Sequence, residues 1–356
     1  MNRYKFLVKS LGRASNSIGA VNVRLQNRLN HQLSRANAHE LRREVVQARN
    51  GIVIADRTLK KKIKEYSAGR FGTPGYWPWL AYYAEMRGEF LEGWLPIDYY
   101  RFHLLPKWNQ LSEVSLYKTY DYQLFGDFAV KPVAVKISGQ WYNSDYEPLF
   151  EGHLSERLKD YGDEVVIKTD GGRGGHDTQF VATHEFNTDQ LDVNSNYVIQ
   201  PAIKQHEEMA LFSGNSVNTI RIITFRTDEG PLKSVLTYIR FGRGESRVDN
   251  TSSGGLYANI DSSGYICSDG YRGMGLITEA KHPEHGFAYQ GMKIPGFAKA
   301  VESCVAAHKR FPFTRIIGWD VCVEATGEVR LLEWNARRPL IWTLEPLFGP
   351  HFKGLI

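Results

Sequence analysis

Ile317-Gly-Trp-Asp-Val-Cys-Val-Glu-Ala-Thr-Gly-Glu-Val-Arg-Leu-Leu-Glu-Trp-Asn335 sets two strand-like runs on either side of Ala325-Thr-Gly-Glu328. The four central residues read as a hairpin turn with Thr326 and Gly327 at its tip. In that register Asp320 lies opposite Glu333, and Asn335, two residues further along, points to the same face. Two carboxylates directly opposite each other repel, so the pairing calls for a reason. A hard divalent cation supplies one, because Mg²⁺ favours carboxylate and amide oxygens together with substrate phosphates. An exposed hairpin whose carboxylates meet only water is the alternative.

Three segments upstream carry further chemistry. Val165-Val-Ile-Lys168-Thr-Asp-Gly-Gly-Arg-Gly-Gly-His-Asp-Thr-Gln-Phe-Val181 is a strand ending in lysine, four glycines and a returning strand. Backbone amides of such a flap can approach phosphate oxygens closely, with Lys168 and Arg173 adding positive charge. It is neither a Walker A loop nor a Rossmann fingerprint, and a plain flexible loop has the same composition. In Ser216-Val-Asn-Thr-Ile-Arg221, alternation places Thr219 and Arg221 on the face opposite Ile220 and Ile222. A strand-mounted arginine presents a rigid fork suited to phosphate or carboxylate, though an ordinary salt bridge uses it equally well. In Val248-Asp-Asn-Thr-Ser-Ser-Gly-Gly255, Asp249, Asn250, Ser252 and Ser253 sit on a Gly-rich loop that can line an acceptor pocket or simply cap a turn. His176, His184, His206 and His308 are not spaced as a metal cluster.

The rest of the chain bounds the reading. At 356 residues with 42% hydrophobic content it can bury a large core and divide into two or three subdomains. Apolar positions Leu41, Val45, Val46, Leu59 and Ile63 recur at helical spacing and predict an amphipathic helical segment over residues 38–66. An aromatic-dense stretch follows from Phe71 to Tyr100, either packing a helical layer or forming a substrate-facing wall. Beyond about Tyr117, short β-like runs mix with helices without regular βαβ alternation, which argues for α+β lobes with antiparallel sheets. The expected division is a basic, aromatic-rich helical accessory region over 1–115, an N-lobe with the glycine-rich loop over 116–200, and a C-lobe with the metal site over 201–356.

Cys267, Cys304 and Cys322 form no Cys-x-x-Cys pair, so neither a disulfide framework nor a thiolate zinc site is expected, and a reducing, cytoplasmic compartment is. No apolar run is long enough for a signal peptide or a membrane-spanning helix. The first 70 residues hold 16 Lys/Arg against 4 Asp/Glu. That surplus suits an anionic membrane face, a nucleic acid or an anionic carrier-linked partner, or else a solvated helix face. The cations are not interleaved with exposed aromatics, and no DNA partner is expected.

The order of these features resembles the ATP-grasp superfamily, and within it the sugar-transfer-associated ATP-grasp proteins. The resemblance runs from about Gly75 to about Asn335. It rests also on Gly75-Tyr-Trp-Pro-Trp-Leu80, Gly93-Trp-Leu-Pro96, Lys281-His-Pro283, Ile294-Pro295, Gly318-Trp-Asp320 and Glu333-Trp-Asn335. It implies two α+β lobes with antiparallel sheets clamping ATP. It also implies that Lys118 and Lys168 reach the nucleotide phosphates, under a loop of Gly171, Gly172, Gly174 and Gly175. Gln200, Ala202 and Ile203 then resemble the hinge at the adenine edge, with Glu207 or Glu208 for the ribose hydroxyls. Arg221 resembles the arginine on the transferred phosphate, which with Lys168 makes up the catalytic pair. Asn218, Arg221, Asp249, Asn250 and Ser253 face the substrate, and Asp320, Glu333 and Asn335 match the magnesium ligands. Trp334, where a glycine is common, and Lys168-Thr-Asp in place of Lys-Pro are departures. The implied cofactors are ATP and Mg²⁺. The implied activity is a ligase joining a small-molecule carboxylate to an amine through an acylphosphate, in a polysaccharide or envelope context. A small-molecule kinase or a non-catalytic nucleotide- or polyanion-binding protein are the alternatives.

Overall fold

The computed structural model describes residues 28–172, 178–228, 230–249, 254–273, 275–341 and 344–356. The chain forms two compact units, one of residues 1–106 with 344–353 and the other of residues 107–343 with 354–356.

The first unit is helical. The segment expected as one helix over 38–66 is two, residues 28–48 and Arg57–Phe71. Asn50 and Gly51 break it, both with positive φ (56° and 82°), a conformation that ends a helix and suits these two residue types. Asp56 then caps the second helix by accepting from the Leu59 amide at 2.7 Å. The aromatic stretch turns inward as the helix Trp77–Arg87, in which Trp79, Leu80, Tyr82 and Tyr83 are buried. On the same helix Glu85, fully buried, is held by Arg42 (Nη2 to Oε1 2.6 Å) and by the amides of Ile54 and Ala55. The returning segment 344–353 is tied in through Glu345, whose carbonyl accepts from Trp94 Nε1 and whose carboxylate accepts from the Leu95 amide.

The second unit holds two antiparallel sheets. The smaller comprises β1 (Ala134–Ile137), β2 (Gln140–Tyr142), β3 (Glu164–Thr169), β4 (Thr178–Ala182) and β5 (Tyr197–Pro201), in the order β2-β1-β5-β3-β4. Val165, Ile167, Tyr197 and Ile199 pack on Leu154 and Leu158 on one face. Strand alternation therefore sends Val166, Lys168, Val198 and Gln200 to the other.

The larger sheet comprises β6 (Thr219–Arg226), β7 (Leu232–Phe241), β8 (Leu256–Asn259), β9 (Gly270–Arg272), β10 (Ile277–Glu279), β11 (Ile316–Val323) and β12 (Val329–Asn335). Its order is β10-β9-β8-β7-β6-β11-β12. One face is apolar: Ile220, Ile222, Ile239, Phe241, Trp319 and Val321 pack on Phe297, Ala300, Cys304 and Ala307 of the helix Phe297–Arg310. Those four recur at helical spacing, which is why this segment is an amphipathic helix.

Beneath β6 and β11 runs a buried polar chain. Trp319 Nε1 donates to Thr224 Oγ1 at 2.7 Å, Thr224 Oγ1 meets His308 Nδ1 at 2.7 Å, and His308 Nε2 meets the Thr314 carbonyl at 3.0 Å. A carbonyl only accepts, so Nε2 carries the proton and Nδ1 accepts from Thr224. Burial lowers His308 to about 4 from the ordinary 6.5, so the fold favours the neutral ring. As pH falls below 6.5 the unfolded chain takes up this proton first. This group's contribution to stability is therefore lost between about pH 6.5 and 4, by on the order of 3 kcal/mol. Urea titrations across this window should show the native chain losing stability relative to His308→Asn as pH falls, whatever that variant's absolute stability.

Candidate nucleotide site

β11 and β12 pair as the hairpin expected, with Asp320 opposite Glu333 and Gly318 opposite Asn335. The turn alone does not produce this. Next to the turn the pairs are Val323 with Val329, Cys322 with Arg330 and Val321 with Leu331, a register that would put Leu332 opposite Asp320. A bulge between Asp320 and Val321 takes Leu332 out of the ladder and brings Glu333 to the same face as Asp320. The Leu332 carbonyl accepts from Lys168 Nζ at 3.1 Å, so the bulge joins the lysine of the smaller sheet to the carboxylate strand of the larger one.

Between the two sheets lies a cavity of about 350 Å³. From the smaller sheet and its hinge it is lined by Val166, Lys168, Thr178, Phe180, Gln200, Ala202 and Ile203, and from the larger by Thr219, Arg240, Asp320, Leu332 and Glu333. Lys118 and Gly172 close one end; Glu164, Arg247 and Asp249 belong to the wall as well.

Of the residues singled out from sequence, Lys118, Lys168, Gly172, Gln200, Ala202, Ile203, Asp249, Asp320 and Glu333 come together here. Lys118 Nζ donates to the carbonyls of Thr169 (3.3 Å) and Gly172 (2.9 Å). Burial lowers the Lys168 ammonium, while the Glu333 carboxylate works against that. Gln200 Nε2 donates to the Val130 carbonyl at 3.1 Å. Gly171, with φ 76°, lies just outside the wall and donates its amide to Leu116 O at 2.7 Å. Asn335 shares the face of Glu333 but is not part of the wall.

Others are placed elsewhere. Arg221 is buried outside the wall and gives its Nε and Nη2 to the two carboxylate oxygens of Asp320, the second at 2.7 Å. Asn218 is fully buried and donates to Gln205 Oε1 and to the Met209 and Ser213 carbonyls. Glu207 and Glu208 are exposed at the start of a short helix capped by His206 and do not line the cavity. Gly174, Gly175, Asn250 and Ser253 lie outside the described residues.

The structure adds residues that no motif marked. Arg240 lines the cavity with its guanidinium held by Thr219 Oγ1 (3.0 and 2.9 Å), Asp249 (3.5 Å) and Asp320 (3.2 Å). Burial acts to raise the Asp320 carboxyl, but Arg221 and Arg240 outweigh it and hold it below the ordinary carboxylate value. Arg247 stacks over Phe180 at 4.0 Å and forks onto Glu164 (2.6 and 2.5 Å), spanning the two sheets at the cavity's edge. Asp121, behind β12, accepts from Trp334 Nε1 at 2.8 Å, and burial pushes its carboxyl up to about 7. Among the described residues, His282, Glu284 and His285 are the one group of three His, Cys, Asp or Glu side chains close enough together to share an ion. There His282 Nδ1 accepts the amides of Glu284 and His285 at 3.2 Å, which makes it a turn cap.

Two antiparallel sheets closing on one cavity, with Lys168 from the smaller and the Asp320 and Glu333 carboxylates from the larger, define an α+β ATP-grasp fold. The chain belongs to the sugar-transfer associated ATP-grasp family, whose model matches residues 146–345, more than half its length. No curated protein matches its sequence. Among solved structures it is similar to biotin carboxylase from Campylobacter jejuni in complex with β-γ-ATP (13% identity, 62% of this chain and 40% of that one, TM-score 0.36). It is also similar to the ATP-grasp ligase PsnB with its minimal precursor (13%, 67% and 58%, TM-score 0.38) and to the D-alanine-D-alanine ligase from Coxiella burnetii (12%, 65% and 48%, TM-score 0.35). The chain thus spans between 40% and 58% of these three proteins.

Arg221 and Asp320 are a buried pair, and removing one partner leaves the other charge poorly compensated. Arg221→Met should cost about 3 kcal/mol in urea unfolding. Arg226→Met, at the far end of the same strand, should cost much less.

Proposed function

We propose that the cavity holds Mg-ATP and that the chain uses it to activate a carboxylate for attack by an amine. One observation carries this reading: Lys168 of the smaller sheet, Lys118 of the turn before it, and the Asp320 and Glu333 carboxylates of the larger sheet meet in a single cavity large enough for a nucleotide. Family membership supports it.

The donor set fits a magnesium ion. The Glu333 carboxylate has no hydrogen-bond or ion-pair partner among the described residues. Asp320 takes three guanidinium contacts, and a carboxylate offers about four lone-pair positions, so one remains. Glu333, Asp320 and the Asn335 amide would hold the ion, which supplies charge neutralisation to the phosphates.

The remaining steps belong to this chain's own residues. Val166 and Leu332, on opposite walls, are the apolar surfaces for a base, next to backbone groups of Gln200 to Ile203. Lys168 and Lys118 place positive charge beside the terminal phosphates. Both are already oriented on backbone carbonyls, so little reorganisation is needed when charge moves. Arg240 lines the cavity with Nε and Nη2 held by Thr219, Asp249 and Asp320, which leaves Nη1 as the donor for an oxyanion. The acid's carboxylate oxygen bonds to the γ-phosphorus as the bond to the β–γ bridging oxygen breaks and ADP leaves. The amine nitrogen then bonds to the acyl carbon, phosphate departs and the amine gives up a proton. An acid of carbohydrate or amino-acid type is the substrate class that the family's sugar-transfer association supports.

Incubation with ATP, magnesium, a panel of sugar acids and amino acids, and hydroxylamine should give a hydroxamate with one of them. Lys168→Met should reduce its formation on the order of 10²-fold or more, the scale for losing one preorganised transition-state donor. Stable transfer of ³²P to a hydroxyl acceptor, with no hydroxamate from any acid, would replace this reading with a kinase. No change in melting temperature on adding Mg-ATP would remove the nucleotide altogether.

A further inference from the structure

The short segment 118–121 is fastened at both ends of the candidate site. On one side Lys118 Nζ holds the carbonyls of Thr169 and Gly172, and Thr119 bonds the Asp170 carboxylate through its amide (3.0 Å) and hydroxyl (2.8 Å). These contacts fix it to the end of β3, just beyond Lys168. On the other side Asp121 Oδ1 takes the indole N–H of Trp334 at 2.8 Å. Trp334 sits in β12 between Glu333 and Asn335, with its ring on the opposite face of the strand, 1% exposed. Phe311 (4.9 Å), Phe125 (5.2 Å) and Trp319 (6.0 Å) surround that ring, so packing fixes its plane and the Asp121 bond fixes its rotation.

Stability alone does not call for a carboxylate at 121. The residue is 8% exposed, and an apolar side chain of similar size would avoid the desolvation cost. A glycine at 334 would leave the strand without this anchor. What the pair achieves is a fixed distance between two parts of the site that no strand ladder joins, since β3 and β12 belong to different sheets.

We propose that Asp121 and Trp334 are positioning residues that hold β12, and with it Glu333 and Asn335, in place against Lys118 and the end of β3. For its ligand arm this rests on the nucleotide reading above. Besides the Lys168 bond to the Leu332 carbonyl, this coupling reaches β12 through the single hydrogen bond between Asp121 and Trp334. It therefore depends on the indole N–H and on an acceptor at 121, and not on the bulk of either side chain.

Three variants separate that claim from a packing role. Trp334→Phe keeps an aromatic ring and removes the donor; Asp121→Ala removes the acceptor; Asp121→Asn keeps an acceptor of the same shape. In the ligand-free protein, hydrogen exchange should accelerate together at residues 330–335 and at 168–172 in Trp334→Phe and Asp121→Ala, and far less in Asp121→Asn. With Mn²⁺ and AMP-PNP as probes, the same two variants should bind Mn²⁺ about 10-fold or more weakly, as when a partner of a metal ligand is lost. Metal-free AMP-PNP affinity should be little changed. Acceleration confined to β12, equal effects in all three variants, or a lower melting temperature with neither readout moved would overturn the proposal. Wild-type protein that binds no AMP-PNP would overturn the nucleotide reading instead, and the exchange arm would still decide the coupling.

Discussion

Asp320 has to be compensated before the rest of the larger sheet can exist as it does. A carboxylate on a central strand, 2% exposed, is costly to bury without partners, and its partners come from the two strands beyond it, Arg221 from β6 and Arg240 from β7. Arg240 in turn engages Asp249, whose oxygen takes the Thr219 amide at 3.0 Å. The four charges alternate in sign, and the three on strands, Arg221, Arg240 and Asp320, lie where a shift of register by one residue would throw them onto the apolar face with Ile220, Ile239 and Trp319. The network therefore fixes which faces of β6, β7 and β11 look towards the cavity. Gly318 is part of the same constraint: a Cβ there would come within 3.5 Å of Arg221 Nη1 and 3.2 Å of Ile223 Cδ1.

Much of this was legible in the residues, and what was not had a physical reason. The β11–β12 hairpin follows from a turn signal between two alternating runs, while the meeting of Asp320 with Glu333 also needs a bulge. The bulge at Leu332 was not legible, because an apolar residue in a strand looks the same in or out of the ladder. The Lys168 flap was legible for its glycines. Arg240 and Arg247 were not, since each gains its meaning from partners on other strands or on the other sheet. Arg221 was correctly set on a polar strand face, yet its ligand there is the carboxylate next door. Asp121 lies among short helical turns without a period to read. The Asn50-Gly51 break was written in residue types and was masked by apolar spacing that continues on both sides of it.

Trp334 shows how a departure from a pattern can be informative. Beside Glu333 a small residue would leave the backbone free; an indole with three aromatic neighbours, Phe125, Phe311 and Trp319, commits it. The core behind β12 is accordingly aromatic and the face in front of it charged, with one strand thick enough to separate them. That separation lets Lys168 and Glu333 sit close to Asp121 without a continuous polar path through the sheet.

The fork of Arg247 on Glu164 is a bridge at the cavity's edge that faces water. With the two side chains 49% and 31% exposed, its strength is that of a surface pair, under about 1 kcal/mol and weakened by dissolved ions. The stack on Phe180 keeps the guanidinium nearby when the fork lets go. As dissolved ions accumulate, this tie between the loop after β7 and the smaller sheet therefore loosens, whereas the deeper charges around Asp320 are shielded from them.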